Sequence, residues 1–168
     1  MELPFSKLNF DASTKWNLHM KRRKGFNNKR KLQSGSVSPE LLALVDQVTY
    51  GGNPEHKRNP GNFGLKPPAD PRPYKTLCDD CGIFDVAIAE SLLRSGLERG
   101  FTSQQMKGRW PQNIWAVTDK GYPVEAQLEN KDQGTYHGYP MPESDPMRDI
   151  IYNLWFADVP KGGTDNAF

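Results

Sequence analysis

The sequence predicts an α+β fold. N-terminal helices come first, then a small antiparallel β-meander and a C-terminal helix, with a basic flexible tail in front. Two observations predict it. Apolar residues recur at helical spacing after Ser38, across 83–99 and again after Ser144, and between the last two the period switches to two. Two turn signals, DKG at 119–121 and DQG at 132–134, then cut the period-two region into three short runs.

Residues 1–36 carry nine Lys and Arg against Glu2 and Asp11. The cations concentrate in two runs, Lys21, Arg22, Arg23, Lys24 and then Lys29, Arg30, Lys31. The stretch QSGS at 33–36 closes the segment like a linker. A solvated arm of this composition follows phosphates and orders on binding, so these seven cations are expected RNA contacts.

The first helix is expected to open at Ser38. Ser38 suits the N-cap, Pro39 the first helical position, and Glu40 complements the helix dipole. Leu41, Leu42, Leu44, Val45 and Val48 supply its apolar face, and Gly51 and Gly52 end it. A loop follows over 51–75 with six prolines. Loops this long in compact domains are commonly functional or disordered. This one sets His56, Lys57 and Arg58 side by side.

A second helix is expected over 83–99, with Ile83, Val86, Ala87, Leu92, Leu93 and Leu97 on one face and Gly100 as its C-terminal cap. Strands follow at 113–118, 123–130 and 135–141. The last helix runs from Ser144 through Met147, Ile150, Ile151, Leu154 and Trp155. The expected organisation is a tail over 1–36, one domain over 37–160 and a flexible C-terminus over 161–168.

Composition narrows the function classes. Hydrophobic residues make up 36% of the 168, which allows one core with part of the chain outside it. No run of 18 apolar residues occurs, and the start MELPFSKLNF does not read as a signal peptide. The expectation is a soluble cytoplasmic protein with no membrane partner. Cys78 and Cys81 form a lone CxxC. A structural zinc site normally takes four ligands, often two such pairs; the second pair is absent, though His56 or His137 could complete a site, and the expectation is free thiols, no metal and no cofactor. Two basic segments ahead of an acidic body point to a polyanion approached by tail and loop.

In the second strand Val124, Ala126 and Leu128 share one face, and Glu125, Gln127 and Glu129 the other. The apolar set is expected to face the helices and to leave the Glu125 face open. If the register puts His137 on that open face, Glu125, Gln127, His137 and Tyr139 gather there. The loop can then fold over them and add His56, Lys57 and Arg58. Such a set can cut RNA without metal. A base frees the 2′-hydroxyl, an acid protonates the departing 5′-oxygen, and cations stabilise the charged phosphorane. Histidine, titrating near ~6.5, serves in either proton role. Tyr136, Tyr139 and Trp110 offer stacking surfaces for bases.

The element order over 76–157, with NIWAVTDKGYPVEAQLEN, TYHGYP and the preceding HKR, resembles the barnase–EndoU–colicin–RelE superfold of ribonuclease toxins. The resemblance implies Glu125 as base, His137 as acid, and His56, Lys57 and Arg58 as phosphate binders or acid/base partners. The long basic tail and the CxxC pair depart from small toxins. The function expected is therefore a metal-independent endoribonuclease hydrolase, the toxin of a toxin–antitoxin or phage-defence system. Its partners would be RNA such as tRNA and a cognate antitoxin or inhibitory protein. Two other readings stand beside it, a non-catalytic nucleic-acid-binding module and an antitoxin-like protein-interaction factor.

Overall fold

The computed structural model describes residues 27–33 and 36–157. The expected contacts Lys21, Arg22, Arg23 and Lys24 lie outside the described residues, as do 161–168.

Ser38 caps α1 (Pro39–Leu42), its hydroxyl accepting from the Leu41 amide at 3.2 Å. The helix ends after four residues. Thr49 and Tyr50 form β1 (Thr49–Tyr50), which pairs in parallel with Thr135 and Tyr136. Tertiary strand pairing thus takes residues that the apolar spacing assigned to a helix. Leu44, Val45 and Val48 still bury, but from outside the helix. No cluster of N-terminal helices exists among the described residues, which corrects the expected arrangement.

The 51–75 segment is pinned at intervals. Single 3-10 turns form at Pro54–His56 and Pro60–Phe63, with Phe63 buried, and another follows at Cys78–Cys81. Helix α2 (Val86–Glu98) starts where Asp85 accepts from the Ile88 amide at 2.9 Å. A two-stranded hairpin, β2 (Met106–Lys107) with β3 (Trp110–Pro111), was not expected from the sequence. Strands β4 (Asn113–Val117), β5 (Pro123–Asn130) and β6 (Thr135–Pro140) then pair antiparallel in sequence order. With β1 added, the sheet order is β1-β6-β5-β4 and the sheet is mixed. The expected purely antiparallel meander is therefore overturned. Helix α3 (Pro146–Ala157) closes the described chain.

Helix α2 lies close on the Ile114 face of the sheet. A Cβ added at Gly96 would meet Ile114 Cγ2 and the Trp115 carbonyl oxygen, each at 2.5 Å, so glycine sets this approach. Gly134 makes the β5–β6 turn with φ +67°, and a side chain there would drive into the Trp110 ring. Leu97, Ile114 and Ile151 are fully buried. Each such aliphatic side chain contributes on the order of 1.5–3 kcal/mol. Helix α3 contacts β4 and β5, and Asp145 at its start lies on the side of the sheet where Glu125 points. Both sheet faces are therefore covered along β4 and much of β5, and the expected open Glu125 face is not there.

Residues 27–33, inside the segment read as a tail, are laced to the body. The Gln33 amide donates to the Thr102 carbonyl at 2.7 Å, and the Gln104 amide to the Lys31 carbonyl at 2.8 Å. Among the described residues no helix is long and apolar enough to cross a membrane.

Candidate functional site

The β5–β6 register sets Glu125 opposite Tyr139 and Gln127 opposite His137. Partners in register share a face, so Glu125, Gln127, His137 and Tyr139 lie on one side of the sheet. The 54–58 loop folds onto the same region. The rings of His56 and Tyr139 stack with centroids 5.2 Å apart. The two stretches that carry histidine, far apart in sequence, therefore meet.

Their side chains do not share one fate. Glu125 is 0% exposed. It accepts from Arg30 Nε at 3.1 Å, from Arg30 Nη2, and from Asn113 Nδ2 at 2.7 Å. Arg30 also donates to Asp145, from Nη1 at 3.2 Å and from Nη2 at 2.7 Å. Burial penalises the guanidinium charge, and the two carboxylates more than offset that. A fully buried carboxylate whose oxygens are taken by Arg30 and Asn113 leaves no room for a substrate hydroxyl, so Glu125 does not fit the role of base. Arg30 is buried in the same contact and does not fit the role of RNA contact. Its neighbours Lys29 and Lys31 remain exposed.

Beyond Glu125 the polar chain opens toward solvent. Gln127 Nε2 donates to the Tyr139 hydroxyl at 3.1 Å, and His137 Nδ1 lies 4.0 Å from Glu129 Oε2. The His137 side chain is 26% exposed and that of Glu129 52%. Burial lowers the His137 pKa, with Glu129 opposing the shift. His56 is more enclosed. Its Nδ1 bonds the Thr76 carbonyl oxygen at 2.7 Å. A carbonyl only accepts, so Nδ1 carries the proton and the neutral ring keeps its lone pair on Nε2. Burial pulls the His56 pKa down to about 4, and Lys75 and Lys57 push it the same way while the Thr76 contact opposes them. Lys57 lies within electrostatic range of both histidines.

Lys57 itself points inward. Its Nζ donates to the Tyr50 hydroxyl at 2.6 Å and to Cys78 Sγ at 2.8 Å, and it sits over the Phe63 ring at 4.6 Å. A phosphate cannot reach it there, which corrects its expected role as a phosphate binder. Burial raises the Cys78 thiol pKa, with Lys57 pulling it down, and pushes Cys81 up to about 12. Neither cysteine is in a disulfide. Among the described residues no group of three or more His, Cys, Asp or Glu side chains is placed to hold a metal ion. Arg58 is exposed and pairs with Asp80 at 2.5 Å. Trp110 and Tyr136 are core residues, Tyr136 donating its hydroxyl to the Pro111 carbonyl at 2.6 Å, so neither offers a base-stacking surface.

Sequence reasoning missed Asp145, Asn113 and Thr76. For Asp145 a signal existed, since aspartate before Pro146 is a strong helix start, and its Oδ1 accepts from the Met147 amide at 3.0 Å. For the other two no local signal exists. Comparison with known proteins gives no match to a family model, a curated protein or a solved structure.

Proposed function

We propose that this chain is a cytoplasmic, metal-independent endoribonuclease, the toxin of a toxin–antitoxin or defence system. Its acid/base centre is the His56–Tyr139–His137 cluster, in which His56 and Tyr139 are buried and His137 is partly exposed. The observation that carries the reading is the convergence of His56 and His137 on the same side of the sheet, one packed on Tyr139 and the other two residues before it in β6. Neither histidine is tied up by a buried ion pair as Glu125 is.

The role of His56 follows from its hydrogen bond to Thr76, and that of His137 from its approach to Glu129. His56 holds its lone pair on Nε2 and stays neutral at physiological pH, so it takes the proton from the 2′-hydroxyl. His137, beside Glu129, gives a proton to the departing 5′-oxygen. The field of Lys75, which already disfavours protonation of His56, favours the negative charge that develops on the phosphorane. The exposed Lys29, Lys31 and Arg58 hold the flanking phosphates. A cognate antitoxin would cover β5 and β6 around His137.

The test is cleavage of tRNA and total RNA by the purified full chain in excess EDTA. The expected products are discrete fragments with 2′,3′-cyclic phosphate ends, absent with His137→Ala and with His56→Ala, while both variants keep the wild-type circular dichroism. Wild-type cutting by both variants overturns the site. Intact RNA that shifts on a gel replaces the reading with a non-catalytic nucleic-acid-binding module. Intact RNA that does not shift leaves an antitoxin-like protein-interaction factor.

A further inference from the structure

The Lys57–Cys78 contact lies outside the acid/base centre. Both residues are buried, with Lys57 5% and Cys78 1% exposed. The 2.8 Å between Nζ and Sγ is hydrogen-bond distance. Among the described residues Nζ also donates to the Tyr50 hydroxyl, so it is met there by an OH, a thiol and two aromatic rings rather than by a carboxylate. A buried cation in such surroundings is costly unless a counter-charge forms beside it. Proton transfer from the Cys78 thiol to a neutral Lys57 amine forms the two charges together, as a thiolate–ammonium pair at hydrogen-bond distance. Cys81, one turn on, directs its Sγ at the Cys78 carbonyl oxygen at 3.1 Å rather than at the Lys57 contact. A cavity of about 30 Å³, lined in part by Tyr50, Cys78 and Gly138, adjoins the thiol. That is room for about one molecule the size of water.

We propose that Lys57 and Cys78 form a peroxide-responsive modification site, in which oxidised Cys78 is captured by Lys57 as a covalent sulfur–nitrogen cross-link. The Cys78 thiolate attacks a peroxide. An S–O bond forms, the O–O bond breaks, and the departing hydroxide takes a proton from the Lys57 ammonium and leaves as water. Sulfur is oxidised by two electrons and the peroxide is reduced. The neutral Nζ then attacks the sulfur of the sulfenic acid. The S–N bond forms, the S–O bond breaks, and a second water leaves with a proton from the amine. Sulfenic acids condense with nitrogen or with a second thiol, and proximity decides between them. The cross-link would join the 54–64 loop to the Cys78–Cys81 turn, and thiol reductants would reverse it.

The test uses the full chain treated with hydrogen peroxide, then denatured, alkylated and read by intact mass and peptide mapping. The expected result is a loss of two hydrogens, a linked peptide pair containing Lys57 and Cys78, and Cys81 still open to alkylation. Cys81→Ser keeps the mass loss and Lys57→Arg abolishes it. The peptide map of the wild type decides the matter even if Lys57→Arg fails to fold. A disulfide between Cys78 and Cys81, with the mass loss absent in Cys81→Ser, overturns the proposal. So does a Cys78 that remains fully alkylatable while oxygen is added only at methionines.

Discussion

Two basic runs, Lys29–Lys31 and His56–Arg58, look alike in sequence and end differently. In the first, Arg30 turns inward to two carboxylates while Lys29 and Lys31 stay exposed. In the second, His56 and Lys57 turn inward, to a backbone carbonyl and to a hydroxyl and a thiol, while Arg58 stays out. The planar fork of arginine engages Glu125 and Asp145 together, and such a pairing can offset burial. Histidine and lysine in the second run hydrogen-bond instead to a backbone carbonyl, a hydroxyl and a thiol. A run of cations is therefore not one patch. Its members divide between buried and exposed positions according to what each side chain reaches.

The largest expected effect comes from the first run. Arg30→Met strands two buried carboxylates and should cost about 3–5 kcal/mol in urea unfolding at neutral pH. Neutralising both partners in the same chain, with Glu125→Gln and Asp145→Asn, should recover part of the loss. A cost under about 1 kcal/mol would mean that the Arg30 contact behaves like an exposed ion pair.

In the second region the effect should appear in rate rather than in stability. His137→Ala should lower RNA cleavage by about 10²–10⁴-fold, the range of a lost general acid, with the unfolding midpoint nearly unchanged. Parallel loss of activity and of the folded state would instead make His137 a packing residue.

A smaller effect comes from pH. The folded pKa of His56 is about 4 against an ordinary 6.5, so between these values the unfolded chain binds more protons than the native one. Stability contributed by neutral His56 is thus complete above that window and is lost as pH falls through it. His137 shifts in the same direction. From about pH 7 to pH 5 the His56 share should be on the order of 1–2 kcal/mol, and His56→Gln should flatten the slope by that amount. Identical slopes would assign the acid sensitivity to other groups.

The smallest effect should come from Arg58 and Asp80, whose side chains are 61% and 59% exposed. Asp80→Asn should change stability by less than about 1 kcal/mol, and less still in high salt. A larger cost would erase the contrast with Arg30.

Local rules identified much of the local structure. Ser38 caps α1, the periodicity of 83–99 becomes α2, and DKG and DQG bound the strands as expected. Period-two alternation also grouped Glu125 with Gln127, and His137 with Tyr139, because successive residues of a strand must point to opposite sides. These features depend on neighbours a few residues apart, which a sequence displays directly.

What the sequence could not decide was everything set by partners far along the chain. Thr49 and Tyr50 leave a helical pattern because Thr135 and Tyr136 offer a strand edge. Glu125, read as an exposed base, becomes structural because Arg30, 95 positions away, reaches it from the segment read as a tail. Tyr136 and Trp110, read as stacking surfaces, fill the core between the sheet and its neighbours. Alternation says which residues share a face, but not which face another segment covers. That choice depends on burial and charge pairing between distant residues, and it determined which of the expected site residues remain available for chemistry.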